Sequence, residues 1–419
     1  MAKFAHIADC HIGGWSELKL KELNLEVFCR SISICIERGV DFVLIAGDLF
    51  NTALPSIDLI KQVTLELKRL KDKGIPTYII PGSHDYSPSG KTMLDVFENA
   101  GLVRNVVRFE EKEERIDLKF SIDEKTGVKI TGLFGKAQGL EKGYYEKLIR
   151  ENLENEVGKK IFMFHTTLTE FKPEHLAMIS SEPVAILPRG FDYYAGGHPH
   201  YVFNEVKEPY GRIAYTGALF PNNFWELEKF EGGGFFINEF VESGIESEFV
   251  PVIVKRVVKY NFDLSGKDSN QIKDFILERV DKNEIVDRIV LLRLRGTMES
   301  GKLSDINFKE IFSELEGAYA ILKNTSELKS REFEELEDIG RAVLKQAQVL
   351  GAGKRVTKYT KSILESSVLG KWDKLKEELS KTQADVEAEM VMLRDVDIAN
   401  LVALGGWLRA LEIAAVTTS

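Results

Sequence analysis

Three short apolar runs, at residues 4–8, 42–46 and 77–80, each stop abruptly at a polar cluster, and helical periodicity fills residues 23–37, 56–73 and 91–99 between and after them. A strand and helix succession of this kind folds as a βαβ series, whose parallel strands finish on one edge of a sheet. Ligand sites in such sheets lie beyond the carboxyl ends of the strands. Asp9-Cys10-His11 follows the first run, Gly47-Asp48 the second and Pro81-Gly82-Ser83-His84-Asp85 the third. Three polar side chains where a backbone turns make a poor core and a good site.

The rest of the chain supplies more of the same chemistry. After Gly101 the pattern turns strand-rich and antiparallel in character, with runs at 106–109, 116–122 and 128–134, a helix at 141–153 and a buried-looking strand at 161–164 that delivers His165. Residues 193–195 lead into Gly196-Gly197-His198-Pro199-His200, followed by strand-like runs at 201–206, 212–215 and 234–240. A second sheet packed on the first is the economical expectation. A composition break at 243–248 precedes a smaller unit with strands at 252–260, 289–295 and 318–322 and helices at 271–280 and 308–315, a βαβαβ module without candidate ligands.

Beyond Ser326 the sequence predicts charged helices. One apolar stripe runs Phe333, Leu336, Val343, Ala347, Leu350 and a second runs Trp372, Leu375, Leu379, Val386, Met390, Leu393, with a basic patch at 354–361 between them. A helical hairpin packed on itself and a face for a partner both fit. The further apolar residues Leu401, Leu404, Trp407, Leu408 and Leu411 favour the partner.

Composition narrows the class. A chain of 419 residues exceeds one ordinary domain, and 44% apolar with 29% charged residues is the balance of a water-soluble globular protein. No stretch is long and apolar enough to span a bilayer, so a cytoplasmic location is expected, close to the nucleoid if DNA is the substrate. Cys10, Cys29 and Cys35 have no metal-binding or disulfide spacing, and Cys10 points away from its neighbours in a strand, which predicts a buried structural role. The net charge of -10 excludes coating of nucleic acid by bulk charge, not a local basic groove.

Only seven histidines occur, and five of them sit in strand-end turns beside Gly, Asp or another His. His6 and His175 are assigned to structure. Asp9, His11, Asp48, Ser83, His84, His165, His198 and His200 are too many for one cation and suit two, plus one histidine free for catalysis. Two ions about 3.5–4 Å apart, bridged by a carboxylate, clamp the attacking and leaving oxygens of a phosphoryl transfer. Imidazole with carboxylate favours manganese, iron or zinc over calcium.

Asp9-x-His11, Gly47-Asp48, Gly82-Ser83-His84-Asp85, His165 and Gly197-His198-x-His200, in that order, resemble the signature of the calcineurin-like metallophosphoesterases. The phosphatase branch carries Asp-Arg-Gly shortly after Gly-Asp, where this chain has Leu49-Phe50-Asn51-Thr52-Ala53. The small module and helical tail resemble instead the DNA double-strand-break repair nucleases, SbcD-like and meiotic-recombination type, archaeal branch. The resemblance implies an α/β fold: a two-sheet metallophosphoesterase sandwich flanked by helices over residues 1–245, a DNA-contacting βαβαβ cap over 250–325 and a helical ATPase-binding region over 327–419. It implies a homodimeric, manganese-dependent (Mn2+) nuclease that cuts single-stranded DNA internally and degrades duplex DNA ends in the 3'-5' direction. Its partner would be an SMC-like ABC ATPase held by the C-terminal helices.

Carried over by position, the resemblance gives Asp9, His11, Asp48 and His200 to one ion and Asp48, Ser83, His165 and His198 to the other, with Asp48 as bridge. His84 would be the catalytic histidine that is not a ligand, and Asp85 either orients an imidazole or caps the turn. Two departures stand out. The family has Asn where this chain has Ser83, so the second ion is expected to be weakly held. It often has His at the position of Asn51, so duplex-end degradation is expected to be the weaker activity. Tyr86, Ser87, Ser89 and Lys91 follow the His84 corner as candidate DNA contacts, and Lys255, Arg256 and Lys259 alternate along a strand as a possible basic edge. Two alternatives remain open from sequence: a phosphodiesterase for cyclic nucleotides or other small diesters, and a weakly catalytic DNA-end scaffold that recruits the ATPase.

Overall fold

The computed structural model describes residues 2–331 except 87–91, 137–138 and 177. The helical stripes and basic patch from Phe333 onward therefore lie outside the described residues, as do Ser87, Ser89 and Lys91. The chain opens with β1 (Lys3–Ile7), α1 (Leu18–Glu37), β2 (Phe42–Ala46), α2 (Ile57–Asp72), β3 (Thr77–Ile80), α3 (Met93–Asn99) and β4 (Arg104–Asn105). The expected βαβ series is present: β1, β2, β3 and β4 are parallel neighbours. Every residue of β2 and β3 is buried, which is why these strands read as continuous apolar runs.

Next come the hairpin β5 (Phe109–Lys112) and β6 (Arg115–Leu118), then β7 (Ser121–Ile122), β8 (Lys129–Gly132), two short helices α4 (Lys142–Glu146) and α5 (Glu151–Glu154), and β9 (Lys160–His165). The single helix expected at 141–153 is thus two. β10 (Tyr193–Gly197), β11 (Val202–Lys207), β12 (Gly211–Thr216), α6 (Phe224–Phe230), β13 (Gly233–Val241) and β14 (Gly244–Val252) follow. One six-stranded sheet runs β14-β13-β1-β2-β3-β4 and the other β11-β12-β10-β9-β8-β7. The second is not the antiparallel sheet suggested by its short runs. β8, β9, β10 and β12 are parallel, because long crossovers join them, and only the outer strands β7 and β11 pair antiparallel. The break at 243–248 is likewise no linker: it is the end of a hairpin turn at Glu242-Ser243 and the start of β14, which pairs with β13 along its whole length.

The two sheets bury a shared layer that includes Phe4, Phe42, Leu44, Tyr78, Ile161, Met163 and Tyr193. Phe4 stacks on Phe42, its neighbour within the first sheet, and meets Tyr193 of the second edge-on, each at 5.2 Å between ring centroids, so the Phe4–Tyr193 pair, worth about 0.5–1.5 kcal/mol, fixes one sheet on the other. α1, α2 and α3 cover the far side of the first sheet, while Tyr145, Leu148, Leu153 and Ile186 cover that of the second. His6 is structural as expected. It is buried with Nδ1 3.0 Å from the Tyr193 hydroxyl, and burial drops its pKa to about 3. Cys10 is buried too, and burial pushes its thiol up.

The remaining described residues give β15 (Val257–Asp263), α7 (Ser269–Leu277), β16 (Ile289–Met298), α8 (Phe308–Glu314) and β17 (Ala320–Ser330), with the three strands in the order β15-β16-β17. This is the expected βαβαβ order. β17 runs past Ser326, and Leu328 beyond it is buried. Two compact units interleave along the sequence, one of residues 1–260, 280–293 and 312–324, the other of 261–279, 294–311 and the described part of the segment from Thr325. Among the described residues, no helix is long and apolar enough to cross a membrane.

Candidate metal centre

The carboxyl ends of β1, β2, β9 and β10 carry the candidate ligands to one place. His11 and Asp9 donate backbone N–H groups to Asp48 and Gly47 across the first sheet, at 2.9 and 3.2 Å. Asp9, His11, Asp48 and His198 all adopt left-handed backbone conformations, with φ of 49°, 42°, 52° and 93°. Each such non-glycine residue costs roughly 1–3 kcal/mol of strain and persists where the surroundings over-determine it. The glycines of the motifs are explained by close approach. A Cβ on Gly47 would lie 2.2 Å from Nδ1 of His165, and one on Gly82 would lie 2.2 Å from Oδ1 of Asp48.

Three overlapping groups of donor atoms result: Asp9 with His11 and His200, His11 with Asp48 and His84, and Asp48 with His165 and His198. Nε2 of His11 and of His200 are 3.0 Å apart, and each is 4.0 Å from Oδ1 of Asp9. Asp48 Oδ2 lies 3.1 Å from Nε2 of His165, 3.7 Å from Nε2 of His11 and 3.5 Å from the Ser83 hydroxyl. Such edges match donors arranged about a first-row divalent cation with bonds of about 2.0–2.2 Å. Two carboxylates and five imidazoles, four of these seven groups buried, are otherwise costly to gather, so the residues fit a pair of cations.

Backbone donors orient the acids. The His198 N–H bonds both oxygens of Asp9 at 3.0 Å, and the His84 N–H bonds Asp48 at 2.8 Å. The His165 Nδ1 hydrogen goes to the Ala46 carbonyl at 2.8 Å, which turns Nε2 to Asp48. Burial opposes charge on His165, yet the adjacent Asp48 raises its pKa to about 10. Burial pushes Asp9 up to about 6, and burial lowers His11 to about 3 and His198 to about 4. Asp48 resists the same desolvation and is held below the usual carboxylate range by His165 and His11.

His84 is exposed, its ring edge-on to His11 at 4.8 Å, and its Nδ1 donates to the Asn51 carbonyl at 2.9 Å. The Asn51 side chain instead accepts from Asn222 at 3.4 Å. Asp85 takes the turn-capping role of the two open in sequence: its carboxylate accepts from the N–H groups of Gly82 and Phe50 at 2.8 and 3.3 Å. Tyr86 packs edge-on to Phe134, which meets Tyr144. The basic edge is largely compensated, because Lys255 pairs with Asp287 and Lys259 with Glu231. Sequence reading missed Glu226, whose Oε1 accepts from His200 Nδ1 at 2.9 Å, and Asn222 beside it. The available signal was Asn223-x-x-Glu226, an N-cap pattern that opens α6.

A model of the calcineurin-like phosphoesterase family matches residues 2–202. The DNA double-strand break repair protein Mre11 of Methanopyrus kandleri is 30% identical over 298 residues, covering 68% of this chain and 63% of that protein. Its namesake in Archaeoglobus fulgidus is 28% identical over 333 residues, covering 74% and 72%. The one in Saccharolobus solfataricus is 25% identical over 317 residues, covering 74% and 79%.

Proposed function

Residues 2–202 of this chain belong to the calcineurin-like phosphoesterases, and from that premise we propose that it is a divalent-metal-dependent DNA nuclease of double-strand-break repair. The observation that carries the reading is the sharing of Asp48 between two of the three donor groups, the arrangement a two-ion phosphodiesterase needs. Asp9, His11 and His200 with Asp48 would hold one ion, and Asp48, Ser83, His165 and His198 the other. Cations bound there, for which these donors favour manganese, iron or zinc over calcium, would neutralise the phosphodiester and lower the pKa of the attacking water. His84 faces the leaving oxygen through Nε2, its other ring nitrogen being committed to the Asn51 carbonyl. Similarity to proteins of DNA double-strand break repair supports DNA as the substrate; DNA ends and single strands as the forms cut, a homodimer, a cap over 250–325 and an ABC ATPase gripped by 327–419 follow from the family resemblance.

The test is cleavage of circular single-stranded DNA with manganese, magnesium or chelator in parallel, beside a linear duplex. Manganese-dependent cutting of the circle is expected, with the duplex degraded more slowly because Asn51 offers no titratable ring there. Cutting that survives the chelator would overturn the metal reading.

Two further results follow from the site. Ser83→Asn should raise manganese affinity at one of two sites, since an amide oxygen reaches farther than a hydroxyl now 3.5 Å from Asp48; calorimetry with two unchanged affinities counts against it. Metal loading should also release protons. With a pKa near 10, His165 carries a proton in the metal-free protein at pH 8, and a ring that donates its Nε2 lone pair must lose it. Titrations in two buffers of different ionisation enthalpy should differ by about one proton. Identical apparent enthalpies would contradict this. Affinity should therefore fall by about tenfold per pH unit below about pH 10, and more steeply below about 6, where the raised Asp9 takes up a further proton.

A further inference from the structure

We propose that Glu226 is a positioning residue of the metal centre, which holds the His200 ring in the tautomer that turns Nε2 toward Asp9 and His11. The inference rests on the metal-centre reading above.

Glu226 stands in the first turn of α6, where Asn223 caps the helix by accepting the Glu226 N–H at 2.9 Å. Its carboxylate is itself fixed. Oε1 accepts from the Asn223 amide at 2.6 Å as well as from His200, and Oε2 accepts the Asn222 backbone N–H at 2.8 Å. An acid anchored by helix cap and backbone does not follow a side chain, so the ring follows the acid. Because an ionised carboxylate only accepts, the hydrogen of His200 resides on Nδ1. The lone pair then lies on Nε2, 3.0 Å from Nε2 of His11 and 4.0 Å from Asp9 Oδ1.

His200 needs such a holder more than His165 does. The His165 side chain is fully buried, tied to the Ala46 carbonyl and flanked by Gly47. The His200 side chain is 22% exposed and borders a cavity of about 170 Å³ whose walls include Val202, Pro221, Phe230 and Phe249. That space lets an untethered ring swing away from Asp9. Carboxylate, imidazole and metal in series is the arrangement that fixes a ligating ring, and losing the outer acid typically costs about 10- to 100-fold in metal affinity.

The experiment compares the full chain with Glu226→Ala and Glu226→Gln, using manganese calorimetry, thermal melting, and long-range nitrogen NMR of the histidine rings with the His200 signal identified from His200→Ala. Expected for folded Glu226→Ala is a shift of metal-free His200 toward the Nε2–H tautomer and a loss of about 10- to 100-fold at one manganese site, the other staying within about twofold. Glu226→Gln, which keeps size and one acceptor, should fall between and decides the matter if the alanine variant does not fold. An unchanged tautomer with both affinities unchanged would overturn the proposal. A wild-type chain that binds no manganese would overturn the metal-centre reading instead, and the tautomer arm would still judge the hold of Glu226 on the ring.

Discussion

Asp48→Asn is expected to lower manganese-dependent cleavage of single-stranded DNA by about 10³-fold or more and to weaken both metal-binding events together. Asparagine keeps the shape and one acceptor, so the His84 N–H retains its partner, while the negative charge common to two donor groups is gone. Asp48 Oδ2 reaches His165, His11 and Ser83. A second consequence has a definite sign. Asp48 gives the largest support to the proton on buried His165, so without the charge desolvation is opposed only by Asp9 and the Ala46 carbonyl, the His165 pKa falls, and metal loading at pH 8 releases less than the wild-type proton. A variant with two intact manganese sites and undiminished cutting would remove Asp48 as the bridge.

His84→Leu should show the opposite division of effects. Cleavage falls by about 10²- to 10⁴-fold, the range for loss of one proton-transfer group, while both metal affinities and DNA binding persist. The geometry supports this because Nδ1 of His84 is occupied by a carbonyl and the ring stands exposed at the rim. The ring does lie within one group of donor atoms, with His11 and Asp48, so metal affinity is the deciding measurement. A collapse of one affinity in His84→Leu would make it a ligand, and unimpaired cleavage would leave it no role in the chemistry.

The first sheet was legible because β2 and β3 are buried on both faces and, apart from Thr77, are built of apolar and aromatic residues, which makes their polar terminations conspicuous. His165, His198 and His200 were found for the same reason. The second sheet was misjudged in direction, since parallel pairing depends on long crossovers that leave little local pattern, and a hairpin turn at Glu242-Ser243 imitated a linker. Asp85 could not be assigned from sequence because a turn-capping acid and an acid beside a ring differ only in where the carboxylate points. Glu226 escaped notice because its partner is 26 residues away and only the fold brings them together.

The left-handed backbone at Asp9, His11, Asp48 and His198 bears on how this chain could change over generations. Glycine would adopt those conformations with less strain, so the acids and rings are retained against the chain's own thermodynamic preference. A lineage selected for heat resistance alone would drift toward glycine or asparagine at these positions and go silent as an enzyme while folding better. Acids and rings at four strained corners, where glycine would cost less, are thus what a site requires and a fold alone does not.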